Sequence, residues 1–90
     1  MIGFINWWSK EVFSMAKAYL KISVEPGKER IVKDLLLQRK NVLQADLTSG
    51  EQDIIALIQA DNYEQLMNFV VTELRPIEGI IKTVTNLVLE

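Results

Sequence analysis

Ala18-Tyr19-Leu20-Lys21-Ile22-Ser23-Val24-Glu25-Pro26-Gly27 alternates apolar and polar side chains until a Pro-Gly pair interrupts it. Side chains of a strand point to opposite faces with a period of two. Ala18, Leu20, Ile22 and Val24 therefore predict one buried face, and Tyr19, Lys21, Ser23 and Glu25 the other. Proline and glycine then end the strand. Beyond them the period changes. Over residues 28–40, Ile31, Val32, Leu35 and Leu36 recur at helical spacing, with Lys28, Glu29, Lys33, Asp34 and Arg39 outward.

A second strand is expected over 42–48, with Leu43, Ala45 and Leu47 set against Gln44 and Asp46. Thr48-Ser49-Gly50-Glu51 has turn composition, and Gly50 is able to take positive φ there. Residues 53–59 contain the unbroken apolar run Ile54-Ile55-Ala56-Leu57-Ile58, the pattern of a strand covered on both faces. Asp61 followed by Glu64 predicts a capping-box start for a second helix, whose apolar face is Leu66, Phe69, Val70 and Leu74. Pro76 marks its end and Glu78-Gly79 turns the chain into a last β-rich segment, residues 80–89.

The expected order is strand, helix, strand, strand, helix, strand. This is the α+β, ferredoxin-like βαββαβ arrangement, a four-stranded antiparallel sheet with both helices on one face. The other face then needs a partner, and dimeric α/β-barrel-type pairing of two sheets supplies one. There is no internal repeat and no low-complexity segment.

Composition points the same way. Ninety residues make one domain. A chain of this size buries only about 60 to 65% of the surface its unfolded form exposes. With 49% of residues apolar, sharing surface between copies is the physical expectation. Ten basic against 12 acidic residues and no Lys/Arg run disfavour direct nucleic-acid binding. Cysteine is absent, which removes disulfides and thiolate chemistry and fits a reducing, cytoplasmic setting. Histidine is absent too, and with it the commonest general acid/base and metal ligand. No enzyme activity, metal or cofactor is expected.

Residues 1–17 form a separate extension ahead of the domain at 18–90. If helical, the extension gathers Phe4, Ile5, Trp8, Val12 and Met15 within an arc of about 120°. Lys10 and Glu11 interrupt any signal-peptide core, and the segment is too short and polar to span a membrane. An amphipathic helix docked on the protein's own assembly is one reading. A membrane-surface helix, or a start at Met15 that leaves the earlier residues outside the protein, are the others.

Three stretches carry a resemblance to a known family. Residues 18–27 look like the opening strand and turn of the Lrp/AsnC effector-binding domain. Ser49-Gly50-Glu51-Gln52-Asp53 is similar to that family's Thr-Gly-x-aromatic-Asp turn. Gly79-Ile80-Ile81-Lys82-Thr83-Val84-Thr85, followed by Leu87-Val88-Leu89, resembles its Gly-Val-x-x-Thr-x-Thr last strand. The resemblance covers residues 18–89. It implies homodimers by sheet packing, higher oligomers of those dimers, and small amino-acid-like effectors bound between them. Relatives of full length carry a helix-turn-helix domain ahead of this one, for which the preceding residues are too few. A stand-alone module is the expectation, with full-length Lrp/AsnC regulators as candidate partners and no direct nucleic-acid or membrane contact.

The candidate ligand-binding residues are Ser49, Gly50, Glu51, Gln52, Asp53, Thr83 and Thr85. The Gly50 turn offers backbone N–H groups to a carboxylate, and Asp53 offers its carboxylate to an ammonium group. The alternative is that Gly50 only permits the turn and Asp53 caps the strand. Gln52 stands where the family usually has an aromatic residue, which implies a more polar ligand or none. Thr83 and Thr85 share one side of a strand, where β-branched residues also simply fill a sheet face. Arg75 reads as an anion clamp or as a cation favoured at a helix C-terminus. Glu51 and Asp53, without a histidine beside them, make thin support for catalysis. Three functions stay in view: an effector-binding regulatory module, a purely structural oligomerisation module, and a small dimeric α+β barrel enzyme. An ACT-like regulatory domain shares the topology.

Overall fold

In the computed structural model, which describes residues 15–89, the alternating stretch at Ala18 is a central strand of the sheet. The chain runs β1 (Ala16–Val24), α1 (Glu29–Leu37), β2 (Val42–Leu47), β3 (Ile54–Ala60), α2 (Tyr63–Phe69) and β4 (Ile80–Leu87). The strands lie in the order β2-β3-β1-β4, and every neighbouring pair is antiparallel. This is the ferredoxin-like arrangement expected from the sequence. Residues 1–14 of the expected N-terminal helix lie outside the described residues, and its last two, Ala16 and Lys17, belong instead to β1, paired with Ala60 and Gln59.

The period of two holds along β1. Ala18, Leu20 and Ile22 are fully buried, and each lies opposite a residue of β3 that is buried in turn: Ile58, Ala56 and Ile54. Leucines and valines of the helices cover this layer, with Val32 and Leu36 from α1 and Leu66, Phe69, Val70 and Leu74 from the second helical segment. Each such side chain contributes about 1.5–3 kcal/mol by leaving water. Among the described residues no polar or charged side chain is buried.

Local details depart from the periodic expectation, each for a physical reason. Helix α1 stops at Leu37 rather than residue 40, because Gln38 and Arg39 donate to the carbonyls of Leu35 and Leu36 in tighter i→i−3 bonds. Ile31, expected on its apolar face, is 59% exposed. In β2 the register shifts between Val42 and Gln44, so Leu43 bulges outward and is 45% exposed while Val42 takes the core position. The cap of α2 is Asn62, whose Oδ1 accepts from the Gln65 N–H at 2.8 Å, one residue beyond the expected Asp61. A wider π-type segment, Val70–Leu74, then carries that helix to Arg75.

The β3 run is buried on one face only within this chain. Ile54, Ala56 and Ile58 are fully buried, whereas Ile55 and Leu57 are half-buried on the side away from the helices. Gly79 closes the other end of the sheet. Its φ is +105°, its carbonyl accepts from the Glu25 N–H at 2.8 Å, and a Cβ there would meet Val32 Cγ2 at 3.0 Å. No described helix is long and apolar enough to cross a membrane.

Candidate functional site

Strand register places the open-face side chains. Lys21 lies opposite Ile55 on β3 and Val84 on β4, and Ser23 lies opposite Lys82. Tyr19 lies opposite Leu57 and Asn86. Because directly opposed residues point to the same side of a sheet, these side chains share the surface that carries no described helix. Its centre is apolar, with Tyr19, Ile55, Leu57 and Val84, and lysines stand among them.

The loop between β2 and β3 is pinned beside this surface. The Thr48 N–H donates to the Asp53 carbonyl at 2.9 Å, and the Thr48 hydroxyl donates to the Gln52 carbonyl at 2.6 Å. The Asp53 N–H donates to the Ile22 carbonyl at 2.9 Å. One further bond explains why the loop cannot drift: the Val24 N–H donates to Asp53 Oδ2 at 2.8 Å. Strand β3 begins only at Ile54, so no backbone carbonyl continues the ladder to Val24. The Asp53 carboxylate takes that place, a charge-assisted bond holding two chain segments together.

With the loop so fixed, Glu51 and Gln52 meet Lys21 and Ser23 of β1 and Lys82 and Val84 of β4 around a pocket of about 310 Å³. Two ammonium groups, one carboxylate, one carboxamide and one hydroxyl thus converge on a surface with a single aliphatic lining residue. Such a lining suits a small zwitterion better than an apolar ligand. Among the described residues, ion pairs run from Lys28 to Glu25 (3.5 Å) and to Glu78 (3.6 Å), so Glu51 does not neutralise Lys21 or Lys82 across the pocket.

The residues singled out from sequence therefore divide. Glu51 and Gln52 line the pocket, while Ser49 and Gly50 are exposed in the loop beside it. Gly50 does not take positive φ; Gly27 and Gly79 do, among the described glycines. A Cβ at Gly50 would meet only Gln52 Nε2, at an ordinary 3.6 Å. Asp53 braces the ladder. Thr83 and Thr85 lie opposite Ile22 and Leu20, hence on the helix side of the sheet, away from the pocket. Thr83 instead lines a separate groove of about 260 Å³ with Arg75, Ile80, Ile81 and Lys82. Sequence reasoning missed Lys21, Ser23 and Lys82. Their only signal was the polar phase of β1 and β4, and that becomes a site only once residue 21 is known to lie beside residue 84.

Comparison with known proteins places the chain in a family. The model of the Lrp/AsnC ligand binding domain matches residues 17–90. A hypothetical protein of Pyrococcus horikoshii, PHS023, is 28% identical, with 83% of this chain and 90% of that one covered at a TM-score of 0.79. Escherichia coli AsnC superimposes at a TM-score of 0.79 with 18% identity, over 83% of this chain and 51% of the regulator. The transcriptional regulator NMB0573 of Neisseria meningitidis, solved as a complex with L-Met, superimposes at 0.78 with 15% identity, over 100% of this chain and 59% of its own. At these identities the two regulators share the fold. No protein of curated function matches the chain in sequence.

Proposed function

The chain belongs to the Lrp/AsnC ligand-binding-domain family, and from that premise we propose that it is an oligomeric module that binds a small amino-acid-like effector and modulates transcription-related partners. The observation that carries this reading is the open-face pocket. Its lysines suit a carboxylate, and Glu51 suits an ammonium group. The L-Met complex of the similarly folded Neisseria meningitidis regulator supports the ligand class.

Assembly follows from the same surface. Tyr19, Ile55, Leu57 and Val84 form an apolar strip that the described residues leave open. A second copy packed face to face covers that strip and roofs the adjoining pocket, and such dimers associate further into a higher oligomer. Roofing removes water from the pocket, which strengthens each charge interaction inside it. A ligand that binds one assembly better than another shifts the population toward it. Partners are then reached through mixed oligomers with full-length regulators of the family, and the net charge of −2 supports action without direct DNA contact.

One observation favours a second reading, a structural oligomerisation module without ligand. Asp53 already spends one carboxylate oxygen on Val24, as a strand brace would. A thermal-shift screen against the amino acids, with native mass recorded for each hit, separates the two. A ligand that binds only the folded assembly raises its stability by about 2.7 kcal/mol at a hundred times its Kd. A saturable, selective shift supports the effector-binding module. A well-assembled oligomer that answers none of them is the structural module.

A further inference from the structure

We infer that the effector taken by the open-face pocket is an α-amino acid with a second carboxylate, of the aspartate or glutamate class; this rests on the effector-binding reading above. The charges lining the pocket point to this class. One cation and one anion of the protein match the α-carboxylate and α-ammonium of any amino acid. The lining supplies two cations, Lys21 and Lys82, and one anion, Glu51. One lysine is left over, and a second carboxylate on the ligand matches it.

Neither Asp53 nor Asp46 lines the pocket: Asp53 Oδ2 accepts from the Val24 N–H, and Asp46 Oδ2 accepts from Gln44 Nε2 at 2.7 Å. The ion pairs among the described residues all involve Lys28. Lys21 and Lys82 are diagonal neighbours across β1 and β4, because Lys21 faces Val84 and Ser23 faces Lys82. Diagonal positions stand roughly 7–8 Å apart, which lets each lysine hold a carboxylate of its own.

The remaining lining agrees with a polar side chain on the ligand. Among the described residues Val84 is its only aliphatic one, so a leucine- or methionine-like side chain finds little apolar surface. Gln52 and Ser23 offer hydrogen bonds instead. Ammonium groups discriminate a carboxylate from a carboxamide of the same shape through charge alone, so glutamate is separated from glutamine by the second lysine and not by size.

Isothermal titration of the full chain tests this with glutamate, aspartate, their amides, leucine, methionine and glutarate, a dicarboxylate without an amino group. Glutamate or aspartate is expected to bind roughly tenfold or more tightly than its amide. Lys82→Gln and Lys21→Gln should each weaken glutamate or aspartate more than the matching amide, so that the preference shrinks while native mass is unchanged. Glu51→Gln should weaken the amino acids and spare glutarate. A neutral amino acid that binds as tightly as glutamate, or a preference that survives both lysine variants undiminished, overturns the dicarboxylate assignment and leaves the effector-binding reading in place. If none of the probes binds the assembled protein, that underlying reading falls with it.

Discussion

On the helix side of the sheet, Leu20, Ile22, Ile54, Ala56 and Ile58 are fully buried. On the other side the residues between them are Tyr19, Lys21, Ser23, Ile55 and Leu57, exposed or half-buried. The two faces belong to the same strands, one side chain apart. The first is completed by the chain's own helices and carries no charge. The second mixes an apolar strip with lysines and the β2–β3 loop, and none of the described residues covers it. A face finished from within supplies stability, and a face left open supplies recognition, because only the open one has free area and uncommitted charge.

That contrast is open to direct attack. Ile22→Ala removes a fully buried side chain from the finished face and should cost about 2–5 kcal/mol, read by denaturant unfolding. In a domain of this size that is a large share of the total stability. Asp53→Ala strips the Val24 N–H of its charged acceptor and should cost about 1.5–3 kcal/mol. Asp53→Asn keeps an acceptor in place and should recover most of the loss, whether or not ligand is present. If Asp53→Ala leaves stability unchanged, the bond between the β2–β3 loop and the end of β1 is no brace.

Gly79→Ala should cost about 1–3 kcal/mol, through a φ of +105° and a Cβ pressed against Val32 Cγ2. Thermal melts of the variant check it. Leu57→Lys sits on the open face, so the folded chain should lose within about 1 kcal/mol while native mass falls to a smaller species. An unchanged mass would mean that copies meet elsewhere. The smallest effect is expected at Gly50→Ala, within about 0.5 kcal/mol, because that glycine is neither in positive φ nor crowded.

The two faces also differed in how far the sequence disclosed them. Alternation along residues 18–24, helical spacing from Leu66 to Leu74 and the breaks at Pro26 and Pro76 are local signals, and they disclose strands, helices and the finished face. Boundaries were less legible. The cap moved from Asp61 to Asn62, and Leu43 was pushed outward by a bulge. Such shifts depend on which hydrogen bonds the neighbouring strand offers, which no periodicity encodes.

Of the candidate site, Glu51 and Gln52 were legible, because a turn flanked by strands stands out in composition. Asp53 was visible, but its bond to Val24 was one of two readings. Thr83 and Thr85 were grouped with the turn through a family resemblance, and the strand register sets them on the opposite face of the sheet. Local order along the chain thus settled which segments are strands and helices, since a side chain's face follows from its immediate neighbours. The meeting of Lys21 with Lys82, and of both with Glu51, was settled by how distant strands align. That alignment minimises the energy of the whole sheet, and no segment read alone contains it.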